Sequence, residues 1–276
     1  MTVQEVADKL VERANLPFKL ANTCDILAFG NSGQEVKGIV TSFMATADVV
    51  RKAANLGANM IVTHEPTWFS GADDIGWLEN DPVYLEKTSL LKSYGISVWR
   101  YHDHMHFSKP DEIYEGITHE LGWEEFRAKR IPMSEDFALS FRDYYDLPET
   151  TVCQLANHVK EKLHMAHVRI VGRPDMPCSR VGILVGGGSL GLGDEKMPMR
   201  TMEAHGIHVM ICGDVIEWTL PAYVNDASQL GQKRALIVIG HERSEEWGMK
   251  SMASWLPELA GVPVTFVDAQ EPYKYI

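Results

Sequence analysis

The sequence predicts an α/β protein with two similar α/β lobes, each built around a mostly parallel sheet. Short β-branched runs alternate with segments of helical spacing along the chain, and this order favours parallel crossover units. A weak internal repeat indicates two lobes, because residues 57–65 align without gaps with residues 206–214. We expect a first lobe over residues 1–125, a connecting or inserted segment over 126–180 and a second lobe over 181–276; the alternative is one structural domain overall.

Capping signals and hydrophobic spacing place the elements of the first half. Thr2 and Glu5 form a capping-box pattern before an amphipathic helix. Asp81-Pro82 precedes a second helix, because proline suits the first helical turn. The other elements expected here are strands over 37–43, 59–65 and 96–101, and helices over 47–56 and from near Pro110 to Gly122.

The second half repeats this alternation. In both copies of the repeat, a glycine ends a helix, an apolar strand follows, and a polar pair ends the strand. The expected strands cover 136–145, 168–172, 207–212, 235–240 and 262–267, with another from Arg180. The expected helices cover 149–164, a short stretch through Met202, and stretches from about Trp218 and Arg243.

Composition excludes several classes of protein. The 276 residues include 26 Lys and Arg against 38 Asp and Glu, a net charge of −12, which opposes nonspecific binding to nucleic acid. No apolar run approaches the ~20 residues of a membrane span. The four cysteines are scattered without a CxxC pattern, which favours a reducing, cytoplasmic compartment.

A His-Glu pair ends the apolar strand expected at 59–65. Burying His64 and Glu65 is costly unless both find partners, and a metal ion satisfies an imidazole and a carboxylate together. Pro66 prevents the segment from continuing as a helix. The alternative is a hydrogen-bonded histidine at a strand end.

Three histidines and an aspartate lie within residues 102–106. On an extended segment, His102, His104 and His106 point to one side and Asp103 to the other; in a turn, His102 and His106 approach one ion. Metal binding is favoured over a solvated loop. Asp103 and His104 are the candidates for moving protons as general acid or base.

The strand expected at 235–240 leads directly into His241. If a helix begins at once, His241 and Glu245 share a face and can bind metal, whereas Glu242 and Glu246 are expected to face solvent. Taken alone, this motif favours the alternative, a helical first turn in which acids are favoured by the helix dipole.

Taken together, these donors predict a dinuclear metal site in the cleft between the lobes, because the carboxyl ends of parallel strands form ligand sites. Mixed His and carboxylate donors suit Zn, Mn, Fe, Co or Ni rather than Ca. Six donors exceed the needs of one tetrahedral ion, so two ions bridged by a Glu are expected. Asp214 and Glu217 are candidate supporting acids. The donors are His64, Glu65, His102, His106, His241 and Glu245.

A Gly-rich turn at residues 186–193 follows a predicted strand. It matches neither the P-loop nor the dinucleotide-binding pattern, so a tight turn is favoured over a phosphate cradle. A nucleotide-binding regulator built on this turn is the weakest of the functional interpretations.

The three donor motifs together resemble one family. It is the dinuclear-metal-centre hexameric proteins named after a yeast NGG-one-interacting factor, often called GTP cyclohydrolase type two-like. The family pattern has a strand ending in His-His-Pro, a strand ending in H-x-x-x-D and a late G-H-x-x-x-E, and this chain has the same order. Glu65 replaces the second His of the His-His-Pro motif, and His106 replaces the Asp of H-x-x-x-D. The family's early Asp-Asn-Gly-Leu element is present only as residues 25–28.

The resemblance implies a function and an assembly. It implies His64, Glu65, His106, His241 and Glu245 as ligands of two divalent ions, with His102 as a further ligand or an orienting neighbour. It also implies a toroidal homohexamer and a hydrolase acting on a nucleotide or related small molecule, although the sequence leaves open whether the protein is an enzyme. The alternative is a non-catalytic, metal-stabilised ring that binds partners or regulates.

Overall fold

The computed structural model describes residues 1–128 and 143–276. The strands are β1 Leu27–Phe29, β2 Ile39–Ser42, β3 Met60–Thr63, β4 Ser97–Arg100, β5 Tyr144–Thr151, β6 Arg169–Val171, β7 Pro177–Leu184, β8 Val209–Cys212, β9 Ala235–Val238 and β10 Val264–Phe266. The α-helices are α1 Val3–Ala14, α2 Ala47–Asn55, α3 Pro82–Tyr94, α4 Asp103–Phe107, α5 Glu112–Leu121, α6 Val152–Lys162, α7 Met197–Ala204, α8 Leu220–Gln229 and α9 His241–Ala260.

The chain forms two compact units, each with its own five-stranded sheet. Unit 1 comprises Met1–Gly116 and Glu246–Ile276, and unit 2 comprises Ile117–Glu245. The predicted α/β class with two largely parallel sheets is confirmed. Within the described residues, no helix is long and apolar enough to cross a membrane.

Unit 1 is built on the strand order β1-β4-β3-β2-β10. The pairs among β4, β3, β2 and β10 are parallel, and only the edge strand β1 is antiparallel to its neighbour. All residues of β2, β3 and β4 are buried, as expected for strands covered on both faces. Their carboxyl ends therefore lie at one edge of the sheet.

Local signals fix the helices of unit 1 as the sequence predicts. Thr2 accepts from the Glu5 amide and Glu5 reaches back to the Thr2 amide, which completes the capping box of α1. Asp81 caps α3 with Pro82 in its first turn, and Gly95 ends it in the left-handed conformation with φ 62°.

Unit 2 is built on the strand order β5-β7-β8-β9-β6. The three central strands β7, β8 and β9 are parallel, and both edges are antiparallel. Buried side chains of Met202, Met210 and Leu236 pack into its core. The carboxyl ends of β8 and β9 thus lie side by side.

The internal repeat corresponds to equivalent elements. Gly57 and Gly206 follow α2 and α7, both with positive φ, and β3 and β8 begin three residues later in each copy. Each unit therefore has the strand-helix-strand-helix-strand order that the sequence predicts.

The course of the chain differs from the prediction in several places. Residues 246–276 belong to unit 1, because β10 pairs with β2, whereas 181–276 was expected to form the second lobe. The antiparallel strand β1 was not predicted. Residues 149–151, expected to begin a helix, end β5 instead. In the strand expected at 136–145, residues 136–142 lie outside the described residues.

Candidate metal centre

The donors of unit 1 follow the carboxyl ends of two neighbouring strands. His64 and Glu65 come directly after β3, and His102 comes two residues after the end of β4. Since β3 and β4 pair in parallel, both segments emerge at the same edge of the sheet. His64 is fully buried.

The segment after β4 turns into a helix at once, so the extended alternative, with three histidines on one side, is not the observed one. Asp25 causes the turn, because its carboxylate accepts hydrogen bonds from the amides of His102, Asp103 and His104 at 2.6–3.0 Å. It satisfies the free amides at the start of α4 as an N-cap would. The alternative prediction, a turn with His102 and His106 on one face, is the observed arrangement.

Three imidazole rings pack together as a result. The ring centroids of His64 and His102 lie 4.5 Å apart, those of His64 and His106 5.0 Å, and those of His102 and His106 4.9 Å. One ring nitrogen from each lies within 4.8 Å of the other two. Glu65 joins this group, since its Oε1 lies 3.7 Å from His102 Nε2.

Carboxylates hold two of these rings by Nδ1. His102 Nδ1 lies 2.9 Å from Asp103 Oδ1, and His106 Nδ1 lies 3.0 Å from Asp111 Oδ2. A carboxylate that accepts from Nδ1 fixes the tautomer and directs Nε2 at the metal, the usual outer partner of a metal-binding histidine. Nε2 of each of these two residues is therefore the atom that could bind a metal ion.

Burial keeps the His102 ring neutral. It lowers the pKa of His102 to about 4, with further lowering by the neighbouring His64 and His106, while Glu65 and Asp103 act in the opposite direction. The neutral imidazole is the form that binds a metal ion. This ring is consequently ready to coordinate at neutral pH.

Arg100, at the end of β4, holds the His-Glu segment in place. Its guanidinium donates to the His64 carbonyl at 3.2 Å and lies 3.4 Å from Glu65 Oε2. The residue is 4% exposed. A buried cation beside Glu65 favours the ionised carboxylate, which is the form that coordinates metal.

His104 and Asp103, the predicted acid and base, have other close partners in unit 1. His104 is buried, with Nδ1 2.5 Å from Asp25 Oδ2 and its ring stacked on Tyr101. Asp103 accepts from the Cys24 amide and thiol as well as from His102. These hydrogen bonds hold the pKa of Asp103 well below its usual range, although burial opposes them.

Unit 2 contributes the pair His241 and Glu245 at the start of α9. His241 Nε2 lies 3.0 Å from Glu245 Oε2, one helical turn away, as the i, i+4 spacing predicts. Asp214, which follows β8, holds His241 Nδ1 at 2.7 Å. The supporting role predicted for Asp214 matches this contact, and it repeats the arrangement found at His102 and His106.

The Gly-rich turn forms the wall beside this pair. Gly186 begins a 3-10 turn that ends at Leu190, with its amide donating to Ser244 Oγ at 2.8 Å. A Cβ on Gly186 would overlap Glu245 Oε1 and lie 2.6 Å from His241 Nε2. Residue 186 must therefore be glycine for both donors to keep their places.

Glu242 and Glu246 differ from the sequence prediction. Both were expected to face solvent, yet they are 6% and 1% exposed. The prediction assumed that only one face of this helix is buried. The first turns of α9 are buried on more than one face, so residues off the face of His241 and Glu245 are buried as well.

The residues present fit a divalent transition metal. Imidazole nitrogens and carboxylate oxygens are the donors that Zn, Mn, Fe, Co and Ni accept. Atoms that bind one zinc ion at ~2.0–2.1 Å lie about 3–4 Å apart, and the nitrogens of His64, His102 and His106 already lie within 4.8 Å of one another.

Sequence reasoning selected the six candidate donors but assigned no role to several residues that contact them. Arg100 was not selected because it lies within a predicted strand, and Asp111 because it lies beyond the histidine cluster. Asp25 was noted only as the first residue of the family's early element, because 77 residues separate it from His102 in sequence. Asp111 follows His106 by five residues, and an acid so close to the H-x-x-x-H pattern was an available signal.

Comparison with known proteins gives consistent matches along the chain. The sequence profile of the Duf34/NIF3 (NGG1p interacting factor 3) family matches residues 1–272. A Clostridium perfringens "GTP cyclohydrolase 1 type 2 homolog" is 22% identical over 254 residues, 91% of this chain and 90% of that protein. A similarly named Vibrio cholerae protein is 24% identical over 246 residues, 86% of each chain.

Solved structures share the fold. A Bacillus cereus protein related to NIF3 superposes with a TM-score of 0.73 at 16% identity, covering 100% of this chain and 99% of that one. A Staphylococcus aureus hypothetical protein superposes with a TM-score of 0.72 at 19% identity and the same coverage.

Proposed function

Because the chain belongs to the Duf34/NIF3 family, we propose that it binds two divalent metal ions and is a metal-dependent hydrolase of a nucleotide or related small molecule. The observation that carries the proposal is the packing of three imidazoles, two of them held by carboxylates at Nδ1. The name of the relatives, GTP cyclohydrolase 1 type 2 homolog, supports a nucleotide or related heterocycle as substrate class.

The proposed ligands are the six donors of the two units. His64, Glu65, His102 and His106 supply four from unit 1, and His241 and Glu245 supply two from unit 2. A divalent ion held by such donors lowers the pKa of bound water and polarises a substrate oxygen. The donor set suits Zn, Mn, Fe, Co or Ni.

Side chains around the donors supply orientation and proton transfer. Asp103, Asp111 and Asp214 fix the rings of His102, His106 and His241 through Nδ1. His104 is the proposed proton carrier, because Asp25 holds its Nδ1 and leaves Nε2 as the atom that exchanges a proton. Asp103 has its carboxylate engaged by His102 and Cys24, which favours an orienting role.

A non-catalytic, metal-stabilised ring of identical chains, a homohexamer, is the second candidate. Large apolar side chains on unit 2 support an assembly surface, since Leu192 and Trp218 are 70% and 76% exposed. They belong to neighbouring loops, as Gly193 and Thr219 line one depression. Exposed apolar clusters of this kind are typical of interaction sites.

Turnover assays distinguish the two candidates. The protein is stripped with a chelator, reloaded with each of the five metals, and assayed against nucleotides and phosphoesters. If the protein is a hydrolase, turnover should depend on metal, and His104→Gln should reduce it at least ~10-fold. General acid-base catalysis typically contributes about 10²–10⁴-fold to the rate. Metal binding without turnover on any substrate would contradict the hydrolase and favour the ring.

The assay has a matched control on the surface. His119 is 82% exposed and pairs with Glu124, outside all six donors. His119→Ala removes an imidazole without touching the proposed centre, so it should keep full turnover and full metal content.

A further inference from the structure

A cavity in unit 1 lies apart from the six proposed metal donors. It measures about 600 Å³, and none of the six donors lines it. Residues of helices α2 and α3 and of the loop after Pro66 line it, and it is open to solvent on one side. Its walls are mainly apolar, and they include Met44, Phe69, Val83 and Leu90. Phe69 and Val83 are more than half exposed, so an apolar molecule can reach the cavity from solvent.

A lysine ammonium lies at one side of this cavity. Lys87 Nζ donates to the Thr67 carbonyl at 2.8 Å and lies 5.2 Å from the ring centroids of both Trp68 and Phe69. These contacts compensate the positive charge only in part. Burial lowers the pKa of Lys87 to about 8, although Asp73 acts in the opposite direction. An anion beside Nζ would stabilise the ammonium in place of the solvation that it loses on burial.

The N-terminus of α2 lies at the same cavity. Thr46 and Ala47 both line the cavity, and α2 is nine residues long. Thr46 Oγ1 accepts from the Val49 amide at 3.2 Å. The amides of Ala47 and Asp48 belong to the first helical turn and therefore have no acceptor within the helix. The helix dipole adds a partial positive charge there.

A buried hydroxyl gives an independent indication of a ligand. Thr67 lines the cavity and is 1% exposed, and within the described part of the chain its Oγ1 has no hydrogen-bond partner. Buried hydroxyls without a partner are rare because each costs free energy. Because Oγ1 is closed off from solvent, a ligand oxygen would satisfy it after rotation of the side chain towards the cavity.

We propose that this cavity binds a small amphiphilic anion, with a phosphate or carboxylate head beside Lys87, Thr67 and the start of α2. The apolar body of the ligand packs on Phe69 and Val83. Arg51 adds a second cation to the lining, paired with Asp48 at 2.6 Å, and Glu86 places one carboxylate on the lining. This site is independent of the metal centre and of the proposed hydrolase activity.

Calorimetric titration with simple probes tests the site. Phenyl phosphate and benzoate share the required chemistry and separate the two kinds of head, whereas benzyl alcohol has the apolar body without the charge. At least one of the two anions should bind, and benzyl alcohol should bind at least ~10-fold more weakly, the equivalent of one charged hydrogen bond.

Variants on α3 and in the adjoining loop locate the binding. Lys87→Met should weaken the bound anion at least ~10-fold, and Thr67→Val about 3–10-fold. Lys92→Met is the matched control, because it removes the same charge from an exposed position on the same helix. If Lys87→Met fails to fold, acetylation of Lys87 is measured in the wild-type protein with and without the anion. The bound anion should protect Lys87 from acetylation.

Three results would overturn the proposal. One is the absence of binding by both anions, and another is equal affinity of the wild-type protein and the Lys87→Met and Thr67→Val variants. The third is loss of anion binding on chelation or in His64→Ala, which would move the anion to the metal donors. If the anion still binds after chelation but no turnover is found, the anion site is supported and only the proposed hydrolase activity is contradicted.

Discussion

At the scale of single residues, the imidazoles of this protein are oriented by carboxylates at Nδ1. Asp103, Asp111 and Asp214 each hold one donor histidine in this way, at 2.7–3.0 Å. The same contact recurs in both units, on residues that come from different elements. Such partners raise the basicity of the ligand and fix its tautomer, so their loss commonly weakens metal binding about 10–100-fold.

Gly186→Ala should disrupt the donor pair of unit 2. The new Cβ would overlap Glu245 Oε1, and φ of +46° at this position strains any side chain. We expect loss of metal from His241 and Glu245 and a destabilisation of about 1–3 kcal/mol. Metal titration and denaturant unfolding measure both effects. Gly187→Ala is the control, because nothing lies within 4 Å of its Cβ; equal behaviour of the two variants would contradict the steric argument.

Asp25→Asn should weaken the proposed metal site of unit 1 without removing a proposed ligand. The Asp25 side chain is 1% exposed and accepts from three successive amides, and an amide group replaces one acceptor oxygen with a donor. We expect a loss of about 1–3 kcal/mol in unfolding free energy and about 10–100-fold in metal affinity. Asp8→Asn, at an exposed position of α1, is the control for the change in charge. Unchanged metal affinity in Asp25→Asn would show that this cap does not position His102 and His106.

At the scale of elements, the short helix α4 shows where sequence reasoning succeeds and where it ends. The spacing of His102 and His106 allowed both a strand and a turn, and the sequence alone did not choose between them. The choice comes from Asp25, which lies 77 residues before His102 and meets it only in the folded chain. By contrast, the pairing of His241 with Glu245 was predictable, because i, i+4 contacts depend on local geometry alone.

Helix α3 makes a prediction about pH. The pKa of Lys87 is lowered to about 8 in the folded protein from 10.5, so the unfolded state binds more protons between these values. Stability of the wild-type protein should therefore rise from pH 8 to 10.5 relative to Lys87→Met, by about 1–3 kcal/mol. Urea unfolding of both proteins across this range measures the difference. A difference independent of pH, or an equally pH-dependent difference between the wild-type protein and Lys92→Met, would contradict a partly buried ammonium at Lys87.

At the scale of the whole molecule, two units share one strand and helix order, and the internal repeat predicts this. The glycines at 57 and 206 and the strands after them align in sequence and in structure. The sequence does not predict that β10 returns to the sheet of unit 1, because an apolar run such as 262–267 suits either sheet. Parallel pairing with β2 depends on long-range packing that leaves no local pattern.

Chelation tests the energetic link between metal and fold. An ion that binds only the folded protein adds about 2.7 kcal/mol of stability at a hundred times its Kd. Removing metal should then lower the melting temperature by about 5–10 °C, and adding the ion back should restore it. Native mass spectrometry of the same samples tests the proposed homohexamer. If metal stabilises the ring, the assembly should dissociate on chelation. An identical melting temperature with and without metal would contradict binding to the folded state.

Metal content per chain tests the central claim most directly. The protein is stripped, reloaded with a divalent metal and measured by elemental analysis, with His64→Ala, His241→Ala and the surface control His119→Ala treated alongside. The account predicts about two ions per chain for the wild-type protein and for His119→Ala. His64→Ala and His241→Ala should each hold fewer. Fewer than about one ion per chain in the wild-type protein, or unchanged content in both donor variants, would contradict it.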